Sequence, residues 1–189
     1  MKLLQERILK DARIREGGII KVDSFLNHQM DIPFINEIGR EFYRLFKDDN
    51  VTKILTIEAS GIGIACLTAQ YFNVPVVFAK KTQTKNLDPE VYTSKVTSYT
   101  HGRDYIIRVF KRYLSDSDRI LIIDDFLAKG MAIIGLADII NQAGATLVGA
   151  GVCIEKAFQS GGREIRDRGI RLESLAKVDI DENNKIIFR

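Results

Sequence analysis

Apolar residues recur at i, i+3, i+4 and i+7 between Ile32 and Phe46 (Ile35, Ile38, Phe42, Leu45), the spacing that turns one stripe of a helix toward a core. Residues 2 to 14 gather Leu3, Leu4, Ile8, Leu9 and Ile14 broadly onto one helical face, and Gly17-Gly18 stops that helix. A short strand, Ile19 to Val22, follows. After the turn residues Asp48-Asp49-Asn50 the pattern alternates between strand and helix. Strand Lys53 to Ile57, helix Ile64 to Tyr71 and strand Val74 to Ala79 form one βαβ unit; strand Arg119 to Ile123, helix Met131 to Asn141 and strand Thr146 to Ile154 form a second. These strands are apolar almost throughout, as parallel strands covered on both faces must be. The pattern predicts a doubly wound α/β fold with a mainly parallel sheet flanked by helices.

Two stretches stand outside the alternation. Residues 81 to 113 begin polar and continue as two β-prone runs, Val91 to Tyr99 and Tyr105 to Phe110, around His101-Gly102-Arg103-Asp104, which predicts a mobile loop and hairpin. The tail from Leu172 to Phe188 holds two more β-prone runs around Asp181-Glu182-Asn183-Asn184, an edge hairpin or part of an appended hood. With 189 residues and no shift of composition midway, one domain over 1–189 is expected. Its hood would come from residues 1–30 and about 155–189.

Composition narrows the function classes. No apolar run approaches the roughly 20 residues a bilayer demands, and the charged N-terminus lacks the uninterrupted apolar stretch of a secretory signal, so a cytoplasmic protein without a membrane span is expected. Cys66 and Cys153 sit in apolar surroundings and read as buried free thiols. The net charge of +3 is too small to imply nucleic acid. His28 and His101 have no metal-ligand partner at useful spacing. Lys111, Arg112 and Arg119 read as solvated faces, and Arg163, Glu164, Arg166, Asp167 and Arg168 as an i,i+4 surface network on a helix.

The segment Arg119 to Ala132, RILIIDDFLAKGMA, carries the chemistry. It sets Asp124 and Asp125 at the carboxyl end of a buried strand, where open α/β sheets bind ligands. The loop Ala128-Lys129-Gly130-Met131-Ala132 offers successive backbone amides and a helix N-terminus, together a phosphate site, with Gly130 permitting close approach. Two carboxylates in front of an anion site suit sugar hydroxyls or a hydrated Mg2+ rather than the phosphate itself. The implied ligand is a phosphorylated sugar.

Hydrophobic strand, two acidic residues, two apolar residues, a small-residue loop with glycine and then a helix is the pattern of the type I phosphoribosyltransferases, and the chain resembles that family over essentially its whole length, its xanthine-using branch above all. The resemblance implies transfer of the 5-phosphoribosyl group of phosphoribosyl diphosphate to a purine nitrogen with Mg2+ present, the metal held through the substrate near Asp124 and Asp125 without direct protein ligands. It implies that Ser60, Gly61, Ile62 and Gly63, in the loop after KILTI, bind the diphosphate together with Lys81, and that the hairpin of residues 81 to 113 closes over it. By the same resemblance Ile20, Asn27, Phe126 and Lys156 meet the purine. Lys156 contacts an exocyclic oxygen there; an ammonium cannot accept from adenine's amino group. A homodimer is the family's habit.

The chain departs from the family pattern within the phosphate loop. Ala128, Met131 and Ala132 stand where most members carry hydroxyl residues, and Ala128 also stands where hypoxanthine and guanine enzymes place an aspartate. Adenine phosphoribosyltransferases share the architecture and the alanine, and Lys156 and Asn27 discriminate against them. Purine-responsive transcription regulators of the same fold attach to DNA through a separate domain, for which the length leaves no room.

Overall fold

The computed structural model describes residues 1–15, 19–81, 90–98 and 103–189. Helix α1 (Lys2–Asp11) leads into a ribbon of β1 (Arg13–Arg15) and β2 (Ile19–Lys21), a π-helical turn (Asp23–Asn27) and α2 (Ile32–Phe46). Then come β3 (Lys53–Ile57), α3 (Gly61–Phe72), β4 (Val76–Ala79) and the antiparallel hairpin β5 (Val91–Ser98) and β6 (Arg103–Phe110). The chain continues through β7 (Arg119–Leu127), α4 (Met131–Gln142), β8 (Thr146–Lys156), α5 (Gly161–Asp167), β9 (Leu172–Ile180) and β10 (Ile186–Phe188).

Six strands form the central sheet in the order β10-β9-β8-β7-β3-β4, parallel except for the edge pair β9 and β10. From β3 the chain winds outward to β4, and from β7 the other way to β8 and β9. The order therefore reverses between β3 and β7, and their carboxyl ends frame the crevice where such sheets take ligands. Along β7 the fully buried residues alternate: Leu121 and Ile123 join the core under α2 and α3, Ile120 and Ile122 the core under α4. Helix α2 follows its predicted limits because its signals are local. The Asp31 side chain accepts the amide of Phe34 at its N-terminus, and Ile35, Ile38 and Phe42 are wholly buried.

Five expectations need correction. Helix α1 ends at Asp11, so Ile14 belongs to β1, while Leu3 and Leu9 are 43% and 62% exposed; only Leu4 and Ile8, one turn apart, reach the core. The hairpin arms are packed: Val96, Ile107 and Val109 are buried, and Gly135 brings α4 so close that a Cβ there would meet Val96. The predicted tip around His101 lies outside the described residues, as do Gly17-Gly18 and the polar start of the loop. The tail takes the edge-hairpin alternative; because β9 pairs in parallel with β8, the segment from residue 155 onward extends the sheet instead of forming a hood. Strand β7 does not stop at Ile123, since β8 supplies a ladder as far as Leu127. Cys66 is exposed on α3, and only Cys153 is buried. Among the described residues no helix is long and apolar enough to cross a membrane.

Candidate active site

Asp124 and Asp125 lie inside β7, 5% and 8% exposed, with Asp124 opposite Val152 of β8. The Asp125 amide donates to Asp124 Oδ1 at 2.9 Å, and Asn27 Nδ2 donates to Asp125 Oδ2 at 2.9 Å, which ties the π-helical turn to the strand. Asp124 faces the start of α3. A Cβ on Gly61 would stand 3.0 Å from Asp124 Oδ1 and collide with Thr56 Oγ1, so only glycine lets α3 begin against the carboxylate. That threonine hydroxyl, on β3, is buried and has no hydrogen-bond partner among the described residues. Burial, then the neighbouring Asp125 charge, holds the Asp124 carboxyl well above the usual carboxylate range, against the pull of Lys81.

Next to the acidic pair, Lys156 and Phe126 meet. The Lys156 ammonium lies 5.5 Å from the centroid of the Phe126 ring, a cation–π distance, and Phe126 pairs with Ile154 in the ladder. Burial lowers the Lys156 pKa, and the Asp125 charge opposes that shift. Ile20, 5% exposed on β2, packs in the core cluster that Phe126 borders. Behind the carboxylates, burial and the two aspartate charges push the Cys153 thiol up, so it stays protonated.

Beyond the carboxyl end of β7 the expected helix start at Met131 holds. Only Ala128, Lys129 and Gly130 separate β7 from α4; Met131 and Ala132 form the first turn of that helix. Gly130 takes φ of 79°, no side chain caps α4, and its first-turn amides have no partner within the helix. Opposite, α3 begins three residues earlier than predicted, at Gly61, and the Ile62 amide bonds the Ala59 carbonyl at 3.2 Å. Ser60 and Gly61 therefore lead the helix while Ile62 and Gly63 lie in its first turn, and the Ile62 amide is already engaged. Met30 covers Gly63. The Glu58–Ala59 peptide is cis.

Lys81 leaves β4 at the same end. Its amide donates to Glu58 Oε1 at 2.5 Å and its ammonium lies 5.4 Å from the Tyr105 ring centroid. Burial, and then the Asp124 charge, raises the Tyr105 pKa. Tyr105 and Thr56 were not singled out from sequence. Period-two burial of Ile107 and Val109 continues to Tyr105 and is the signal that marks it. Arg166 does not belong to the surface network: it forms a bidentate pair with Glu155, while Arg168 and Glu164 keep the predicted i,i+4 pairing at 3.1 Å. Arg119 donates to the Asp49 carbonyl.

The model of the phosphoribosyl transferase domain matches residues 23–182. A xanthine phosphoribosyltransferase of Lachnoclostridium phytofermentans is 59% identical over 191 residues, covering 100% of this chain and 98% of that protein. One from Ruminiclostridium cellulolyticum is 57% identical, covering 100% and 99%. Among solved structures, adenine phosphoribosyltransferase from Giardia lamblia complexed with 9-deazaadenine superposes with TM-score 0.75 at 20% identity, over 88% of this chain and 92% of that one. The enzyme from Thermoanaerobacter pseudethanolicus gives 0.74 at 19%, over 92% and 99%. At such identity these structures speak for the fold alone. A sheet reversing between β3 and β7, an acidic pair and a glycine loop at that reversal, and full-length relatives of one name agree: the chain belongs to the phosphoribosyltransferase family.

Proposed function

We propose that the chain is a xanthine phosphoribosyltransferase: it transfers the 5-phosphoribosyl group of phosphoribosyl diphosphate to xanthine, giving xanthosine monophosphate and releasing diphosphate. One observation carries the choice of purine. At the carboxyl ends of β7 and β8 a ring face (Phe126), an obligate donor (Lys156) and an amide (Asn27) gather beside Asp125. An ammonium donates to an exocyclic oxygen and has nothing to accept from an amino group, so this surrounding suits an oxopurine and not adenine.

In this reading the amides of Ala128 to Ala132 hold the 5′-phosphate, and Asp124 and Asp125 hold the ribose. Breaking the bond from C1 to the leaving oxygen builds positive charge on the sugar and negative charge on the diphosphate. The acidic pair favours the first. The Ser60 to Gly63 segment and Lys81 favour the second, with the Ile62 amide contributing less because of its bond to Ala59. The buried pair also fits Mg2+ carried by the substrate, since two carboxylates stand together beside the glycine loop. When bound, Mg2+ supplies charge neutralisation of the diphosphate oxygens. Ala128 offers no base for the purine proton. Xanthine, the more acidic oxopurine, then loses that proton to solvent or arrives ionised, so base affinity should follow the titration of the free purine.

The reading includes a single domain over residues 1–189 with its N-terminal segment covering the site, a cytoplasmic setting and a homodimer, which sedimentation checks. The functional test incubates the protein with phosphoribosyl diphosphate, Mg2+ and each of xanthine, guanine, hypoxanthine and adenine, and identifies the nucleotide formed. Xanthosine monophosphate should form fastest. Adenosine monophosphate forming faster would overturn the assignment, and saturable phosphoribosyl diphosphate binding without turnover would favour a regulator.

A further inference from the structure

A phosphate loop without hydroxyl side chains depends wholly on where its backbone amides point. Ala128, Met131 and Ala132 carry none, so a small shift of the backbone disturbs the site's geometry directly. The loop is braced by α5. The Gly161 amide donates to the Ala128 carbonyl at 3.1 Å, and a Cβ on Gly161 would stand 2.7 Å from both the Gly130 nitrogen and the Lys129 carbonyl carbon, and closer still to the Ala128 oxygen. All three are backbone atoms, so any side chain at 161 must displace the loop or the helix. The fully buried Ile165 lies beneath Gly130, its Cγ1 and Cδ1 3.2 and 3.3 Å from where a Cβ on that glycine would sit.

Gly161 and Ile165 both belong to α5, which has seven residues and no side-chain cap at its start, too little to hold its place alone. A largely buried ion pair adds to the hold that Ile165 gives by packing in the core. Arg166 Nη1 and Nη2 donate to Glu155 Oε1 and Oε2 at 2.9 and 2.7 Å, and Ser174 Oγ of β9 donates to Oε2 at 2.5 Å. The Glu155 side chain is 7% exposed, and Glu155 stands opposite Leu127, the last residue before the loop. A continuous set of short contacts thus runs from β8 and β9 through Glu155 and Arg166 into α5, and from Gly161 into the loop.

We infer that α5 is the positioning brace of the 5′-phosphate loop, Gly161 setting the loop's height and the bidentate Arg166–Glu155 pair fixing α5 to the sheet. This rests on the reading that the loop takes the 5′-phosphate. Arg166 and Gly161 act through the loop and touch no substrate. Two parallel hydrogen bonds define an orientation that a single ammonium does not, so lysine at 166 restores only part of the hold.

The test uses ribose 5-phosphate, which reaches the phosphate loop, and inorganic diphosphate, which does not, as separate calorimetric probes of wild type, Gly161→Ala, Arg166→Met and Arg166→Lys. Glu155 is left intact because Lys156 adjoins it. Gly161→Ala and Arg166→Met should weaken ribose 5-phosphate binding and raise the KM for phosphoribosyl diphosphate by roughly tenfold, a displacement effect, while diphosphate binding and the KM for xanthine stay within about twofold. Arg166→Lys should fall between wild type and Arg166→Met. Wild-type ribose 5-phosphate binding in both Gly161→Ala and Arg166→Met would overturn the inference, as would equal rises in both KM values. Should Gly161→Ala not fold, the two Arg166 variants decide by the same criteria. If wild type itself fails to bind ribose 5-phosphate, the assignment of the phosphate site falls first and the brace with it.

Discussion

The two ends of β7 bury carboxylates equally and use them oppositely. Asp118, immediately before the strand, is 8% exposed, close to Asp124 at 5% and Asp125 at 8%. At the Asp118 end the charge is consumed internally: its oxygens accept from Lys53 Nζ at 2.7 Å, from the Ser115 amide at 2.8 Å, and from the Thr52 and Ser115 hydroxyls. Burial pushes that carboxyl up, but the Lys53 and Ser115 bonds outweigh it and leave the pKa below the usual range. At the Asp124 end no cation forms an ion pair with either aspartate among the described residues; burial and Asp125 drive Asp124 up. A buried charge without a partner weakens a fold, a cost that binding sites carry for a ligand that arrives later. One strand thus carries a fastening at one end and a receptive site at the other.

Substitutions should separate these two uses. The largest effect belongs to Asp125→Ala, expected to lower kcat by roughly a thousandfold or more while the melting temperature stays near that of wild type; initial rates and a thermal melt check both halves. Next comes Asp118→Ala, which strands the Lys53 ammonium and should cost about 3 kcal/mol, a fall in Tm of roughly 6 to 12 °C, with kcat of the folded protein kept. Lys156→Met should then raise the KM for xanthine by roughly 10- to 100-fold, the range of a lost charged hydrogen bond, without loss of Tm; an unchanged xanthine KM would remove Lys156 from the purine site.

The smallest effect is a crossing in pH, followed by thermal melts without substrate. The lowered Asp118 pKa contributes stability that is present above the usual carboxylate range and lost as pH falls through the folded value, so Asp118→Asn should be less stable than wild type at neutral pH and converge with it in acid. The raised Asp124 pKa acts in reverse. Its contribution is present below the unfolded value and lost as pH rises through the folded one, so Asp124→Asn should be more stable than wild type at neutral pH and lose that advantage in acid. Curves of one sign for both variants would erase the contrast.

The sequence displays the frame of this comparison better than its ends. Helix α2 and strand β3 coincide with their expected limits because a cap, an apolar stripe and an apolar run are local signals. Strand β7 runs four residues past its expected end, because two adjacent aspartates read as a strand's end whereas the long partner β8 keeps the ladder running beneath them. Helix α4 begins at Met131 as its apolar spacing indicates, so Met131 and Ala132, named with the phosphate loop, supply its first turn. Asn27 and Lys156 entered through family resemblance; that Asn27 bonds Asp125 and Lys156 lies by Phe126 depends on contacts across 98 and 30 positions, which no periodicity carries. Arg166 misled for a similar reason: its spacing fits a solvated helix face, and only the fold shows Glu155 waiting on β8. The tail's apolar runs indicated strands but not their neighbour, since a β-prone run does not name the edge it joins.

Ligand-induced stabilisation probes the division along β7 without relying on turnover. A ligand at about one hundred times its Kd adds roughly 2.7 kcal/mol to the folded state, which for a chain of this size raises Tm by roughly 5 to 11 °C. Melts of wild type, Asp118→Ala and Asp125→Ala with and without phosphoribosyl diphosphate and Mg2+ therefore test where the substrate sits. The account predicts the same upward shift for wild type and Asp118→Ala, each from its own baseline, and little or none for Asp125→Ala. A full shift in Asp125→Ala, or its loss in Asp118→Ala, would contradict it.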